Sequence, residues 1–359
     1  MLCAPAYVDV EKYRQILVLL PCILLGSHTG YLNVLYTEKN DQAGLLLPIG
    51  LGCGLIVSFT ILAIWGSTAL SFAAGSILLS SCVEKVLIAK KALFLSSSAR
   101  SLVSIFLLLW VTSGQGLCGS QALDTFYYLY GSALVLYCCI GYLRVRDLLL
   151  LRFYWSSAEF LRLIRKGWAA NAQSYLVLVY LILEREYIEV HYPDEIVKYS
   201  VSYALAQLFF VALSAIAFSF QMKVGEDLES YNLNTHRKVA GNILMLWLMM
   251  LLAAVALTSA LSYMNPVYTG TLPSVLLLVG VAGGYFAFSA VSVIGLYTQK
   301  SHIALITLGA MLALRTSLDW IGLLSSIQYE AFLLLSGLLL FIAALFYEYV
   351  IRSTLSEQC

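Results

Sequence analysis

Apolar residues occur along this chain in runs of about 20, separated by short polar connections. A helix of that length crosses the roughly 30 Å hydrocarbon core of a bilayer. Lipid offers no hydrogen-bond partners to the backbone, so we expect helices rather than open sheets. The pattern predicts eleven transmembrane helices, at residues 14–36, 45–65, 68–90, 99–117, 124–143, 168–188, 199–222, 240–263, 274–297, 301–319 and 328–350.

The composition indicates an all-α polytopic membrane protein. Hydrophobic residues make up 61% of the 359 positions and charged residues only 11%, whereas a soluble domain has about 25% charged residues. The net charge of +1 and the lack of a basic recognition run argue against a nucleic-acid partner. The eight cysteines lie without CxxC or histidine spacing, which predicts small apolar residues rather than a disulfide frame or metal site.

Lysine and arginine are distributed unevenly between the predicted connections. One alternating set holds fifteen of the 21 basic residues and the other set holds three. Because cytoplasmic connections are enriched in these residues, we predict a cytoplasmic C-terminus and place the acidic connection 184–200 outside. Lys12 and Arg14 break this rule at the start of the chain. Together with the odd number of helices, they suggest that a first helix is absent.

The most basic connection is "LRVRDLLLLRFYWSSAEFLRLIRKG", residues 143–167, which carries six arginines and lysines. Apolar residues between the cations favour a segment partly in the membrane interface, with arginines on anionic lipid headgroups. The alternative is a set of flanking stop charges. We therefore predict an N-terminal lobe of five helices at 1–143, a basic cytoplasmic linker at 144–166, and a C-terminal lobe of six helices at 167–359.

The two predicted lobes share a weak internal repeat. Residues 86–105 and 295–314 each end one span, turn at lysine and enter the next span. A short outer connection and another span follow in both halves. Repeats of this kind are typical of transporters that alternate access by rocking one helical bundle against another.

Three short motifs open the second lobe: Arg165–Gly167, the acid–arginine pair Glu184–Arg185, and the tyrosine motif Tyr199–Ala204. Together they resemble the polysaccharide-export flippases of the multidrug/oligosaccharidyl-lipid/polysaccharide exporter superfamily. The chain departs from that family with Glu for Asp in the pair, Lys198 for Gly and Ser202 for Ala. The first half fits the family more loosely and lacks its first helix.

The resemblance implies a flippase in the bacterial inner membrane for undecaprenyl-diphosphate-linked oligosaccharide repeat units, as used in O-antigen or capsule assembly. It implies lipid-linked oligosaccharide as the main partner, with a polysaccharide polymerase and a chain-length regulator as further partners. A cavity for a diphosphate needs cationic groups in place of water. No enzymatic activity, metal or cofactor is predicted, and coupling to a H+ or Na+ gradient stays open.

Ionisable residues inside spans are the default candidates for lining such a cavity. Glu184 and Arg185 lie near the outer end of their helix. They suit gating or headgroup contact, or alternatively an ion pair that anchors a loop. Arg315 and Asp319 are four residues apart in one predicted helix. They could present a guanidinium to a diphosphate, or satisfy each other.

Five further polar residues are weaker candidates. Glu84 and Lys85 lie close to the predicted cytoplasmic end of their span, where a snorkelling lysine is the simpler account. Asn171 and Gln173 suit hydrogen bonds between helices better than sugar binding. His28 could couple transport to protons, although a packed histidine is the simpler interpretation.

Three other functions remain open from the sequence. A multidrug-type cation antiporter of the same superfamily needs acidic groups in its cavity, for which the spans offer chiefly Glu84 and Asp319. An integral membrane oligosaccharide polymerase needs a large outer loop, and none of the predicted connections is long enough. An inactive flippase fragment would fit an absent first helix. The sequence favours the flippase.

Overall fold

The computed structural model describes residues 17, 19–92, 95, 120–144, 153–264, 268–285, 287, 294–298 and 300–356, and every long element among them is helical. The predicted span 99–117 lies outside the described residues. The main helices are α1 Ser27–Glu38, α2 Ala43–Trp65, α3 Thr68–Ala89, α4 Ser120–Arg144, α5 Ser157–His191, α6 Ile196–Glu226, α7 Leu233–Met264, α8 Leu272–Leu277 with a π-helical continuation Leu278–Ala282, α9 Ser301–Trp320 and α10 Tyr329–Ser356.

Six of the described helices are long and apolar enough to cross a membrane: α2, α3, α4, α7, α9 and α10. Their apolar runs and their bounds agree with the predicted spans to within a few residues at most ends. The prediction of an all-α polytopic membrane protein is confirmed.

The first predicted span, 14–36, is not one continuous helix. A 3-10 turn at Leu20–Leu24 is followed by left-handed backbone at Leu25 and Gly26, with φ of 50° and 86°. Left-handed residues end a helix, so α1 starts anew at Ser27. A Cβ at Gly26 would lie 2.8 Å from the backbone of Gly167, so glycine is needed there for contact as well as for conformation.

The chain divides into two compact units, Met1–Tyr175 and Leu176–Cys359, here called the first and second unit. The division falls inside α5, and the predicted lobe limits stay a prediction. α5 begins at Ser157, so the second part of the predicted linker 144–166 is helical, and its role as a linker stays a prediction. Leu163 in these first turns is fully buried, and Arg162 forms an ion pair with Glu38 of α1. Residues 145–152 of the linker lie outside the described residues.

Small residues bring α2 and α3 together in the first unit. Ser58 donates a hydrogen bond to the carbonyl of Ser71, and Ser71 donates one back to the carbonyl of Ser58, both at 2.8 Å. Gly54 and Gly75 face each other nearby. Such close backbone approach through small residues is the usual way that helices associate in lipid. The turn before α3 is closed by Ser67, whose side chain accepts the backbone N–H of Leu70 at 3.2 Å.

The connection between α1 and α2 is fixed to the end of α3 by Asp41. Its carboxylate accepts hydrogen bonds from Lys90 at 2.8 Å, from Tyr31 at 2.9 Å and from the backbone N–H of Ala43 at 3.0 Å. Partial burial alone would raise the pKa of Asp41, but these hydrogen bonds outweigh it and lower the pKa below the ordinary value. Two predicted cytoplasmic connections therefore meet at one end of the first unit.

A π-helical turn interrupts the eighth helix in the second unit, at Leu278–Ala282. Trp247 of α7 donates its indole N–H to the carbonyl of Val279 at 3.0 Å. A wide turn leaves backbone carbonyls without their usual partner, and the indole satisfies one of them. Gly284, just after the turn, leaves room for the ring of Phe341 in α10. The glycines of this predicted span therefore serve close packing.

In the second unit, alternate connections lie at the same end of the helix bundle, as the charge pattern predicts. At one end, Lys198 in the first turn of α6 forms an ion pair with Glu330 at the start of α10, at 3.1 Å. At the other end, His236 in the first turn of α7 contacts Glu348 near the end of α10. These contacts define two ends of the bundle without identifying which one is cytoplasmic.

Candidate functional site

The strongest candidate site is a buried carboxylate inside the second unit. Glu184 of α5 is only 2% exposed. Its Oε1 accepts a hydrogen bond from the hydroxyl of Tyr199 in α6 at 3.0 Å. Its Oε2 accepts one from the hydroxyl of Ser336 in α10. Three helices thus supply a carboxylate and two hydroxyls at one point, which we call the Glu184 cluster.

Arg315 of α9 supplies the opposite charge to this cluster. The side chain is 4% exposed, and its Nη1 donates to the backbone carbonyl of Tyr180 at 3.0 Å. The guanidinium carbon lies 4.7 Å from the ring centre of Tyr180 and 5.7 Å from that of Phe332. Aromatic faces attract a desolvated cation. Arg315 and Glu184 also interact electrostatically as opposite charges.

Tyr180 connects the arginine to the serine. Its hydroxyl donates to the backbone carbonyl of Ser336 at 2.8 Å, and the hydroxyl of Ser336 lies 3.3 Å from it. Its own backbone carbonyl receives Arg315. The cluster is therefore a continuous polar network between α5, α6, α9 and α10.

The local sequence explains why these groups meet. Tyr180 and Glu184 are four residues apart on α5, so they lie on the same face of that helix. Phe332 and Ser336 have the same spacing on α10, where Gly337 follows the serine. Small residues let the two helices approach closely. The aromatic residues then shield the polar atoms of the cluster.

The other two predicted site residues of this region, Arg185 and Asp319, differ in their exposure. Arg185, which follows Glu184 in the sequence, is only 1% exposed and is therefore buried in the protein interior. Asp319 is exposed, and Arg315 donates to Tyr180 in the described contacts. Glu184 and Arg185 do not lie in a loop, because α5 continues to His191, and Glu184 contacts α6 and α10.

The remaining candidates lie in the first unit. Glu84 and Lys85 form an ion pair at 3.5 Å and are partly buried. His28 and Asn171 are each 6% exposed, and Gln173 is half-buried. The predicted site residues therefore form separate groups in the two units.

Sequence reasoning missed three members of the cluster: Tyr180, Tyr199 and Ser336. Tyr199 belongs to the tyrosine motif that carried the family resemblance, so that motif was the available signal for it. Ser336 interrupts the apolar run "FLLLSGLLLF" of α10. Hydroxyl residues are frequent in these helices, however, and nothing in the sequence selects this one.

Chemically, the cluster can hold a small cation. A carboxylate takes up a proton, and carboxylate and hydroxyl oxygens are also the ligands that hard cations prefer. Both carboxylate oxygens already have partners that can turn from donor to acceptor. The Glu184 carboxylate is therefore the group of the cluster at which a proton or a small cation can bind.

No protein-family model matches this chain, and no curated protein sequence matches it. Solved structures do. An outward-facing multidrug resistance MATE family transporter of the MOP superfamily aligns with 99% of this chain and 88% of its own, with a TM-score of 0.70 and 14% identity. A MATE transporter in complex with MaL6 gives a TM-score of 0.66 at 14% identity, over 98% of this chain and 88% of its own.

The bent form of the Vibrio cholerae MATE transporter VcmN is similar over 98% of this chain and 89% of its own, with a TM-score of 0.63 and 14% identity. At these identities the likeness establishes the fold, which is that of MATE transporters. MOP is the superfamily to which the sequence resemblance pointed. The flippase branch of that superfamily is not distinguished by this likeness.

Proposed function

We propose that this protein is a secondary membrane transporter in which Glu184 binds the coupling ion, H+ or Na+. The observation that carries the proposal is the Glu184 cluster, in a chain with the fold of MATE transporters. Ionisable groups inside membrane helices are costly, and they commonly mark ion pathways and proton relays. A carboxylate held by hydroxyls of two other helices fits that role.

Compensation between Glu184 and Arg315 provides a physical basis for coupling. When the carboxylate is ionised, it balances the guanidinium inside the bundle. Protonation leaves the Arg315 charge buried without its counter-charge, which is strongly unfavourable. An arrangement of the helices that gives Arg315 other partners then gains population. Ion binding at Glu184 is thereby linked to a change of conformation.

For the cargo, we propose multidrug-type export of lipophilic cations as the first candidate. The sequence analysis found few acidic residues in the spans for the cavity of such an antiporter. The buried Glu184 supplies one. A named neighbour in fold is a multidrug resistance transporter. If the drug cation and the proton compete for the Glu184 carboxylate, binding of one releases the other, which is antiport.

Flipping of lipid-linked oligosaccharide is the second candidate, favoured by the three motifs that open the second lobe. This function needs cations to meet the diphosphate. Arg315 is used inside the Glu184 cluster, so the diphosphate would require other basic residues. Under this proposal the polysaccharide polymerase and chain-length regulator are the expected protein partners, in the bacterial inner membrane.

Ion coupling is tested in proteoliposomes that contain a pH-sensitive dye and the full-length protein. We expect an imposed ethidium gradient to drive proton movement, and Glu184→Gln to lower that flux at least tenfold. Glu189→Gln is the matched control, because Glu189 is exposed on the same helix. If Glu184→Gln transports protons as the unchanged protein does, Glu184 is not the coupling residue. If a sodium gradient drives ethidium transport and a proton gradient does not, the coupling ion is Na+ and not H+.

The two cargoes are separated by a second assay with the same vesicles. A fluorescent polyprenyl-diphosphate oligosaccharide is placed in both leaflets, and the outward-facing fraction is measured with an impermeant quencher. Accelerated flipping with no ethidium transport favours the flippase. Ethidium transport with no flipping favours the multidrug exporter. Activity on neither substrate would contradict both cargo proposals.

A further inference from the structure

A second buried titratable cluster lies in the second unit, away from Glu184. His236, in the first turn of α7, is fully buried. Its Nε2 lies 2.9 Å from Oε1 of Glu348 in α10, and its Nδ1 lies 3.0 Å from the hydroxyl of Tyr231. Arg352 donates its Nε–H to the same Oε1 of Glu348 at 2.8 Å. Glu348 is only 3% exposed.

This cluster is distinct from the Glu184 cluster. Ser336 and Glu348 lie on the same helix, and a rise of 1.5 Å per residue places them about 18 Å apart along α10. One cluster lies near the start of α10 and the other near its end. Proton binding at one is therefore not proton binding at the other.

We propose that His236 and Glu348 form a proton-binding site that clamps the start of α7 to the end of α10. Histidine is the side chain whose charge ordinarily changes between pH 5 and 8. Both imidazole nitrogens have a hydrogen-bond partner, and the partners suit both protonation states. The proposal does not depend on the ion that Glu184 binds.

In the neutral state, Nε2–H donates to Glu348 and Nδ1 accepts the hydroxyl proton of Tyr231. In the charged state, Nδ1–H donates to the oxygen of Tyr231, and only that hydroxyl has to turn. Tyr231 is half-buried, so it connects the imidazole to water, from which the proton comes. The site therefore takes up and releases a proton without rearrangement of the ring.

The charged groups around His236 permit a positive charge on its imidazole ring. Glu348 contributes one negative charge next to the imidazole, and the partly exposed Arg352 compensates it from the far side. Among the described residues, further charged side chains lie at the adjoining helix ends. Lys300 is half-buried, and the others are exposed: Lys223, Glu226, Asp227, Glu229, Arg237 and Lys238. Solvent screens exposed charges. Glu348 is therefore the dominant charge that faces His236.

Protonation strengthens the contact between the two helices. Protonation places a positive charge on the ring beside the Glu348 carboxylate, so the bond then joins two opposite charges instead of a neutral donor and a carboxylate. Below the pH at which His236 loses its proton, α7 and α10 are joined by this stronger bond. Above it, they are held by the weaker one. This end of the bundle thus becomes looser as the local pH rises.

The first test is the ring nitrogen NMR signal of histidine in the full-length protein in lipid nanodiscs, titrated from pH 5.5 to 8.5. The chain has four histidines. We expect the His236 signals to change from the charged to the neutral pattern within this range. They are identified by His236→Gln, or by elimination with variants of the other three if that protein does not fold. A His236 ring that stays neutral throughout overturns the proposal.

The second test is a double-mutant cycle of thermal unfolding with His236→Gln, Glu348→Gln and the double variant. We expect the coupling between the two positions to be at least twofold larger at pH 5.5 than at pH 8.5. His302→Gln is the control, because His302 is exposed, and it should show no coupling with Glu348→Gln. Equal coupling at both pH values would mean a packing contact without proton binding.

Discussion

The hydroxyls of Tyr199 and Ser336 compensate for the transfer of the Glu184 carboxylate from water into the protein. Hydrogen bonds to a charged group contribute about 1.5–3 kcal/mol each. We expect Ser336→Ala and Tyr199→Phe to destabilise the protein by that amount, measured by thermal unfolding in nanodiscs. Ser317→Ala is the control, because the exposed Ser317 bonds only within its own helix. Unchanged unfolding of both cluster variants would mean that neither hydroxyl stabilises the carboxylate.

Arg315 and Glu184 should depend on each other. Removing one member of a buried charge pair costs about 3–5 kcal/mol, because the other charge is left uncompensated. We therefore expect Arg315→Met to destabilise strongly, and the double variant Glu184→Gln/Arg315→Met to lose much less than the sum of the single variants. Thermal unfolding of the four proteins measures this difference. Strict additivity would show that the two charges do not compensate each other.

At the scale of helices, the sequence predicts spans well because lipid makes an uninterrupted apolar run the main requirement. The break at Gly26 was not predicted, and the residue that packs against it, Gly167, lies far along the chain. The start of α5 at Ser157 was missed for a related reason. Its arginines were predicted to meet anionic lipid headgroups, whereas Arg162 pairs with Glu38 of α1.

For the candidate site as well, the sequence identifies single residues but does not show which residues they contact. Glu184 and Arg315 are recognisable because ionisable residues are rare inside spans. Their mutual proximity and the roles of Tyr199 and Ser336 follow from the packing of four helices, which no local pattern in the sequence contains.

The contact between α1 and α5 gives a prediction at the scale of elements. A methyl group at position 167 would meet the carbonyl oxygen of Gly26 and the backbone of Gly30. We expect Gly167→Ala to destabilise the first unit by about 1–3 kcal/mol, the usual cost of overpacking. Gly309→Ala is the matched control, because no atom lies within 4 Å of its added methyl, and alanine is the better helix former there. If both variants unfold alike, the helices are not in close contact.

The connection between α1 and α2 gives a prediction for pH. The pKa of Asp41 is lowered in the folded protein, so its ion pair with Lys90 stabilises the fold above the ordinary aspartate pKa of about 3.9 and is lost as the pH falls below it. The carboxylate is 39% exposed, so solvent screening limits the gain to about 1 kcal/mol or less. We expect Asp41→Asn to unfold more easily than the unchanged protein at pH 7, and this difference to be smaller at pH 3. An equal difference at both pH values would exclude the ion pair as the cause.

At the scale of the whole molecule, the sidedness of the two clusters depends on the orientation in the membrane. The charge pattern predicts that the connection with Asp194 is outside and that the connection with Ser230 is cytoplasmic. The structure places these connections at opposite ends of α6. Glu184 would then lie nearer the outer surface, and His236 nearer the cytoplasm, where it would report cytoplasmic pH.

Cysteine labelling in intact cells decides the orientation. In a protein without its native cysteines, we expect Asp194→Cys to react with an impermeant maleimide in intact cells, and Ser230→Cys only after permeabilisation. Both positions are exposed, so reactivity reports the side of the membrane. The opposite pattern would invert the molecule and make Glu184 the site nearer the cytoplasm. Coupling ions would then reach Glu184 from the cytoplasmic end, and His236 would report the pH outside.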